Sequence, residues 1–249
     1  MTQEFYIDDD IRLHLKLDRP EGAERTPLMI LIHGLTGHME ERHILAVRDT
    51  CLEHGFSVLR ADLYGHGLSG GEFRNHTLFK WLGNIMAVTD YAKTLDFAEG
   101  LYLMGHSQGG YATMLAAGMR PDAYRAIIPL SPATSLEFGA KTGHTVGVCF
   151  DPCAVPDELP RPVSRALSGN YVRAVQMLDV NGAIRRYKGP VLLVHGDADQ
   201  TVPVQCAYDA AALYEDCRLV IIPGDRHCFD YHLDQVQAAV GAFLEEMNG

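Results

Sequence analysis

Short runs in which consecutive positions are apolar recur along the chain, at residues 28–32, 57–61, 101–104, 126–130, 191–195 and 219–222. Each has the length of a strand, and a run apolar at odd and even positions alike suits a strand covered on both faces, as in a parallel sheet. Between these runs the period changes. Residues 78–94 and 108–119 read as helices, and Leu233, Val236, Val240, Phe243, Leu244 and Met247 follow at three- and four-residue steps in a last one. Residues 12–17 alternate polar and apolar, and the acidic turn at 8–10 folds them against residues 5–7, so the chain opens with a hairpin. Alternating strand and helix predicts an α/β fold, a mostly parallel central sheet with helices on both faces.

One stretch breaks the alternation. Residues 135–178 carry no strong strand signal, and Pro152, Pro156, Pro160 and Pro162 cluster there among acidic residues. A connection of that length inside one domain is characteristic of lids and binding elements. The expected organisation is therefore a core built from residues 1–134 and 179–249 and a small inserted cap at 135–178, with 165–178 partly helical.

Composition narrows the function classes. The chain has 249 residues, 47% hydrophobic and 21% charged, enough for one large α/β domain. Its formal charge of -11 argues against nucleic acid, whose affinity comes mainly from Lys and Arg displacing counterions. No apolar run approaches the roughly 18 residues of a membrane span, so no membrane partner is expected. The first ten residues lack a basic region and an apolar region of the secretory kind, and the chain as written reads as cytoplasmic. The six cysteines then read as reduced thiols. Cys149 and Cys153, four apart without a second pair, make a poor metal site, and none is expected. An acidic surface can still pair, which leaves a homodimer open.

The candidate chemistry centres on Gly105-His106-Ser107-Gln108-Gly109, which fits G-x-S-x-G after an apolar strand and before a helical pattern. That pattern answers the demand of a very tight strand-to-helix turn that exposes a serine Oγ. A serine hydroxyl needs a base to take its proton and a carboxylate to orient that base. In this architecture they follow in the order Ser, acid, His, each on a loop after a strand. Asp197 and Asp199 both lie after the 191–195 run, and His227 lies after the 219–222 run and before the last helix. Periodicity does not choose between the two acids. The backbone N–H groups of Gln108 and of Leu35, in the loop after residues 28–32, are the candidate oxyanion donors. His33, Gly34 and His106 flank these donors and are expected to contact the substrate.

With these residues assembled, the chain resembles the α/β-hydrolase superfamily and, more narrowly, the bacterial cinnamoyl (feruloyl) esterases. The resemblance covers nearly the whole chain: residues 33–38 with 41–43, 62–69, 105–110, 150–152, 169–173 and 223–228 all look like that family's segments. It implies that the acid stands four positions after the histidine of an H-G-x-x-D stretch, which selects Asp199 with Asp197 as runner-up. It also implies a cofactor-free acyl-enzyme route on a small-molecule ester, and a cap that closes over an aromatic acyl group. The polar cap residues between Lys141 and His144 do not settle which side chain meets the phenolic hydroxyl. A monoacylglycerol lipase, short-chain carboxylesterase or thioesterase on the same machinery is the alternative, and a non-catalytic ligand-binding receptor is the alternative from another class.

Overall fold

Residues 28–32 show why the strands are apolar throughout: Leu28, Ile30 and Ile32 enter one buried layer, while Met29 and Leu31 enter the other. The computed structural model describes residues 1–159 and 165–248. In chain order these form β1 (Thr2–Asp9), β2 (Ile11–Asp18), β3 (Thr26–Ile32), α1 (Arg42–Glu53), β4 (Ser57–Ala61), α2 (Leu78–Lys93), β5 (Ala98–His106), α3 (Gln108–Met119) and β6 (Ala126–Leu130). Next come α4 (Ser135–Thr142), the short pair β7 (His144–Thr145) and β8 (Val148–Cys149), the short pair β9 (Glu158–Leu159) and β10 (Leu167–Ser168), and α5 (Asn170–Gln176). The chain ends with α6 (Val180–Arg186), β11 (Val191–Gly196), α7 (Gln205–Ala211), β12 (Cys217–Ile222) and α8 (Leu233–Asn248).

The large sheet has eight strands in the order β1-β2-β4-β3-β5-β6-β11-β12. The hairpin β1–β2 and the β2–β4 pair are antiparallel, and the other neighbours run parallel. Helices α1 and α8 cover one face through Ile44, Val47, Val236 and Phe243. Helices α2, α3 and α6 cover the other. Helix α3 is buried from Gln108 to Gly118, so it carries no polar stripe and reads as apolar all round. That burial fixes the helix start, and with it the turn that bears Ser107.

The 135–178 stretch departs from expectation in one respect. It contains the two short strand pairs as well as α4 and α5. Pairs of two residues leave no periodic signature, and the turn of the first pair is marked instead by Val146 and Gly147, both at positive φ. Pro152 and Pro156 lie on its irregular part, whereas Pro160 and Pro162 fall outside the described residues. The stretch is fastened to α3 and α6 by Glu137, whose carboxylate accepts from Tyr111 Oη at 3.2 Å and from Val180 N–H at 2.8 Å.

One buried charge ties the sheet to the loop after β3. Arg60 on β4 is 2% exposed and donates through Nε to the Asp18 carboxylate at 2.8 Å, with Asp18 equally enclosed. Its Nη1 donates to Met39 O at 3.0 Å and to Glu40 Oε1 at 2.9 Å. Arg60→Met would strand the Asp18 carboxylate, with Arg48 still 3.7 Å away as partial compensation. We expect a loss of about 3 kcal/mol in urea unfolding, near the low end for a broken buried pair.

Candidate active site

Ser107 stands between β5 and α3 at φ 57, ψ -120, a conformation that L side chains rarely adopt. It is held there by its own N–H, which donates to Leu130 O at 2.8 Å, and by its carbonyl, which accepts from Tyr111 N–H and Ala133 N–H. The flanking glycines are sterically required. A Cβ on Gly105 would lie 2.4 Å from Gly109 O, and one on Gly109 would lie 2.3 Å from His33 O.

The structure brings three of the expected side chains into line. His227 Nε2 is 2.8 Å from Ser107 Oγ, and His227 Nδ1 is 2.7 Å from Asp199 Oδ2. A carboxylate only accepts, so Nδ1 carries the hydrogen and Nε2 presents its lone pair to the serine hydroxyl. Asp199 sits after β11, where its Oδ1 also accepts from Thr201 N–H at 2.8 Å and Val202 N–H at 2.9 Å. Burial by itself would raise the Asp199 carboxyl, but hydrogen bonds from His195 and His227 outweigh it and hold the group well below the usual carboxylate range. Asp197 points elsewhere: its Oδ1 accepts from Gly224 N–H at 2.6 Å and fastens the neighbouring turn. The loop carrying His227 is shaped by the buried Asp225, whose carboxylate accepts from the N–H groups of Arg226, Tyr231 and His232.

The loop after β3 is oriented by imidazoles. His33 Nε2 accepts from Leu63 N–H at 3.1 Å, so its Nδ1 carries the hydrogen and donates to Gly34 O at 2.7 Å. Burial pushes His33 below its usual range, which keeps it neutral in that role. The Leu35 N–H shares the trans peptide plane with that carbonyl and points the opposite way. His33 itself is fully buried behind the loop, off the cavity wall, while Gly34 and His106 are on it. His66 Nε2 accepts from Thr36 N–H at 3.2 Å and is pushed to about 3 chiefly by burial. The Gln108 N–H, at the first position of α3, has no acceptor inside the helix. The Gln108 side chain is held between His76 Nε2, to which it donates at 3.0 Å, and Tyr171 Oη, from which it accepts at 2.8 Å.

Several of these supports escaped sequence reading. His195 reads as a buried strand end, and it is buried, but its Nε2 also lies 3.1 Å from Asp199 Oδ2. His66 and Tyr171 fall in the family-like segments 62–69 and 169–173 and His76 in none, but nothing local discloses their partners, each about 30 or more positions away. Lys141 turns from the site, bonding Glu137 and Leu178 O, while Thr142, His144 and Thr145 reach the wall.

Ser107 and His227 open onto a cavity of about 920 Å³. Its other walls come from the 135–147 segment, with Leu136, Phe138 and Val146, and from the loop after β11, with Val202 and Pro203. An imidazole whose bare lone pair faces a serine hydroxyl, beside a largely apolar cavity that Leu35 and Gln108 also line, is suited to acyl transfer.

The parallel sheet, with a serine in left-handed geometry after its fifth strand and acid and histidine after the last two, makes the chain an α/β-hydrolase. More narrowly, the chain belongs to the prolyl oligopeptidase family, whose model matches residues 46–248. Est1E from Butyrivibrio proteoclasticus, solved with ferulic acid bound, is 52% identical, with a TM-score of 0.96 covering 97% of this chain and 98% of that one. Human mitochondrial palmitoyl-protein thioesterase ABHD10 is 32% identical over 110 residues, 44% of this chain and 34% of the relative. The match therefore spans about a third of that curated relative's length. A monoacylglycerol lipase of Mycolicibacterium smegmatis is 26% identical over 235 residues, 80% of each chain.

Asp199→Asn would leave a hydrogen-bonding group of the same shape but favour the wrong His227 tautomer, and kcat on a small activated ester should fall about 10⁴-fold. Asp197→Asn should stay within about threefold of the parent, since only a turn contact changes. Initial rates of the two variants check the ranking, and the reverse order would reassign the acid.

Proposed function

We propose that the protein is a serine carboxylesterase acting on hydroxycinnamate esters, with Ser107 as nucleophile, His227 as base and Asp199 as its orienting acid. The observation that carries this reading is the Ser107–His227–Asp199 line at 2.8 and 2.7 Å, opening on a largely apolar cavity of about 920 Å³. The serine proton passes to His227 Nε2 as Oγ attacks the ester carbonyl. Negative charge on the carbonyl oxygen is met by the N–H groups of Leu35 and Gln108. Collapse of this intermediate transfers the proton from His227 to the departing alcohol, leaving an acyl-serine. Water, deprotonated by the same nitrogen, repeats the sequence and releases the acid. No cofactor enters any step.

The acyl preference is supported by the ferulic acid held by Est1E at 52% identity and by the apolar wall that Leu136, Phe138 and Val146 contribute here. On this reading residues 135–178 are a cap that receives the aromatic acyl group, while the core supplies the chemistry. The thioesterase and monoacylglycerol lipase relatives favour a second reading, an alkyl-selective hydrolase on the same residues.

A rate panel separates the readings. Methyl ferulate should exceed a long-chain monoacylglycerol and a palmitoyl thioester by at least about tenfold in kcat/KM, the scale on which an apolar pocket discriminates. Ser107→Ala should abolish turnover, a loss of roughly 10⁶-fold in kcat. Faster long-chain turnover would favour the alkyl reading, and tight ferulate binding without turnover in the parent would make the protein a receptor. Phe138→Ala should raise KM for methyl ferulate about fivefold through lost aromatic contact while leaving turnover of p-nitrophenyl acetate within about twofold. Equal losses on both esters would remove the cap from acyl recognition.

A further inference from the structure

Two histidines outside the serine–histidine–aspartate line have partners that dictate where their hydrogens sit. His106 Nε2 lies 2.7 Å from the main-chain carbonyl of His227. A carbonyl oxygen only accepts, so this nitrogen carries the hydrogen. His106 is 3% exposed, and burial, together with neighbouring His43 and His227, holds its imidazole well below the usual range. A neutral ring protonated at Nε2 has a bare lone pair at Nδ1. Facing that lone pair at 3.1 Å is Nε2 of His43, on α1, which must therefore be the donor. His43 is buried as well and pushed to about 4, chiefly by burial. The two rings meet edge-on with centroids 4.2 Å apart, and the Phe229 ring packs edge-on to His106 at 6.2 Å.

The consequence is a directed chain of hydrogen bonds, from His43 to His106 and from His106 to the backbone of His227. His106 directly precedes Ser107, so the loop bearing the base hangs on the residue beside the nucleophile. Had His106 the other tautomer, its lone pair would face the His227 carbonyl and the grip on that backbone would be lost. We propose that His43 and His106 are positioning residues that register the base-bearing loop against the serine turn, with His43 donating to the bare Nδ1 of the one His106 tautomer able to grip the backbone of His227. This rests on His227 acting as the base. His43 is absent from the cavity wall, so its contribution lies in the alignment of the base and not in contact with substrate. A sub-ångström misplacement of a base is enough to slow proton transfer.

The test begins with the unaltered protein. Long-range ¹H–¹⁵N correlation on ¹⁵N-histidine-labelled protein, with resonances assigned by single substitutions, should show both His43 and His106 protonated at Nε2 and bare at Nδ1. In His43→Phe, kcat on methyl ferulate should fall about tenfold, as for one lost buried hydrogen bond, with KM within about twofold of the parent. His43→Gln, whose amide can donate from a similar position, should recover most of that loss. A His106 protonated at Nδ1 in the unaltered protein overturns the proposal, as does parental kcat in His43→Phe, or equal impairment of the Phe and Gln variants. If the His43 variants do not fold, the spectrum of the parent still decides. Failure of the parent to hydrolyse any ester would sink the esterase reading instead, and leaves the tautomer pattern to be judged by the spectrum alone.

Discussion

The backbone of Ser107 is the constraint on which the site is built. Holding a non-glycine residue at φ 57 and ψ -120 costs about 1–3 kcal/mol, and it persists only where the surroundings leave no alternative. Here the N–H of Ser107 is committed to β6 and its carbonyl to α3 and the segment after β6. Without a side chain at Gly109, the start of α3 packs against the His33 carbonyl at a distance no Cβ would permit. That close approach relieves the tight turn and at the same time sets the loop of Leu35 beside the serine. Ser107 and Leu35 are thus neighbours for one steric reason.

Around this turn the protein relies on neutral imidazoles. His33 and His66 orient the loop after β3, His76 steadies Gln108, and His106 supports His227. Burial lowers all four below the ordinary histidine range. A neutral imidazole offers one donor and one acceptor in fixed directions, so it orders backbone without adding charge. In a buried site that matters, because a positive charge beside His227 would disfavour its protonated form and weaken it as a base. Asp199 is ionised by contrast, and its hydrogen bonds spread its charge over His195, His227 and two backbone N–H groups.

How much of this the sequence discloses follows the range of the physical demand. A tight turn needs glycines within two residues of the serine, and parallel strands need consecutive apolar positions, so both are written locally. The choice between Asp197 and Asp199 is not local, since both lie on the same loop. It emerges when Gly224 N–H meets one carboxylate and His227 Nδ1 meets the other. The short strands of residues 144–168 carry too few positions for a period to appear. The supporting histidines are illegible for another reason: His106 reaches a carbonyl 121 positions along the chain, and a lone histidine in a buried segment has no pattern to betray such a partner.

Residues 135–178 meet the rest of the chain at the serine turn and not merely at the periphery. Tyr171, on α5, donates to the Gln108 side chain, and Gln108 N–H stands directly after the nucleophile. Glu137, on α4, takes the hydroxyl of Tyr111 one turn further along the same helix α3. Helices α4 and α5 therefore bear on the first turns of α3, while residues 135–147 supply much of the cavity wall. The cavity wall and the side chain of Gln108 are thereby held by the same two helices, so a substitution at Tyr171 would loosen the start of α3 before it was felt at the sheet.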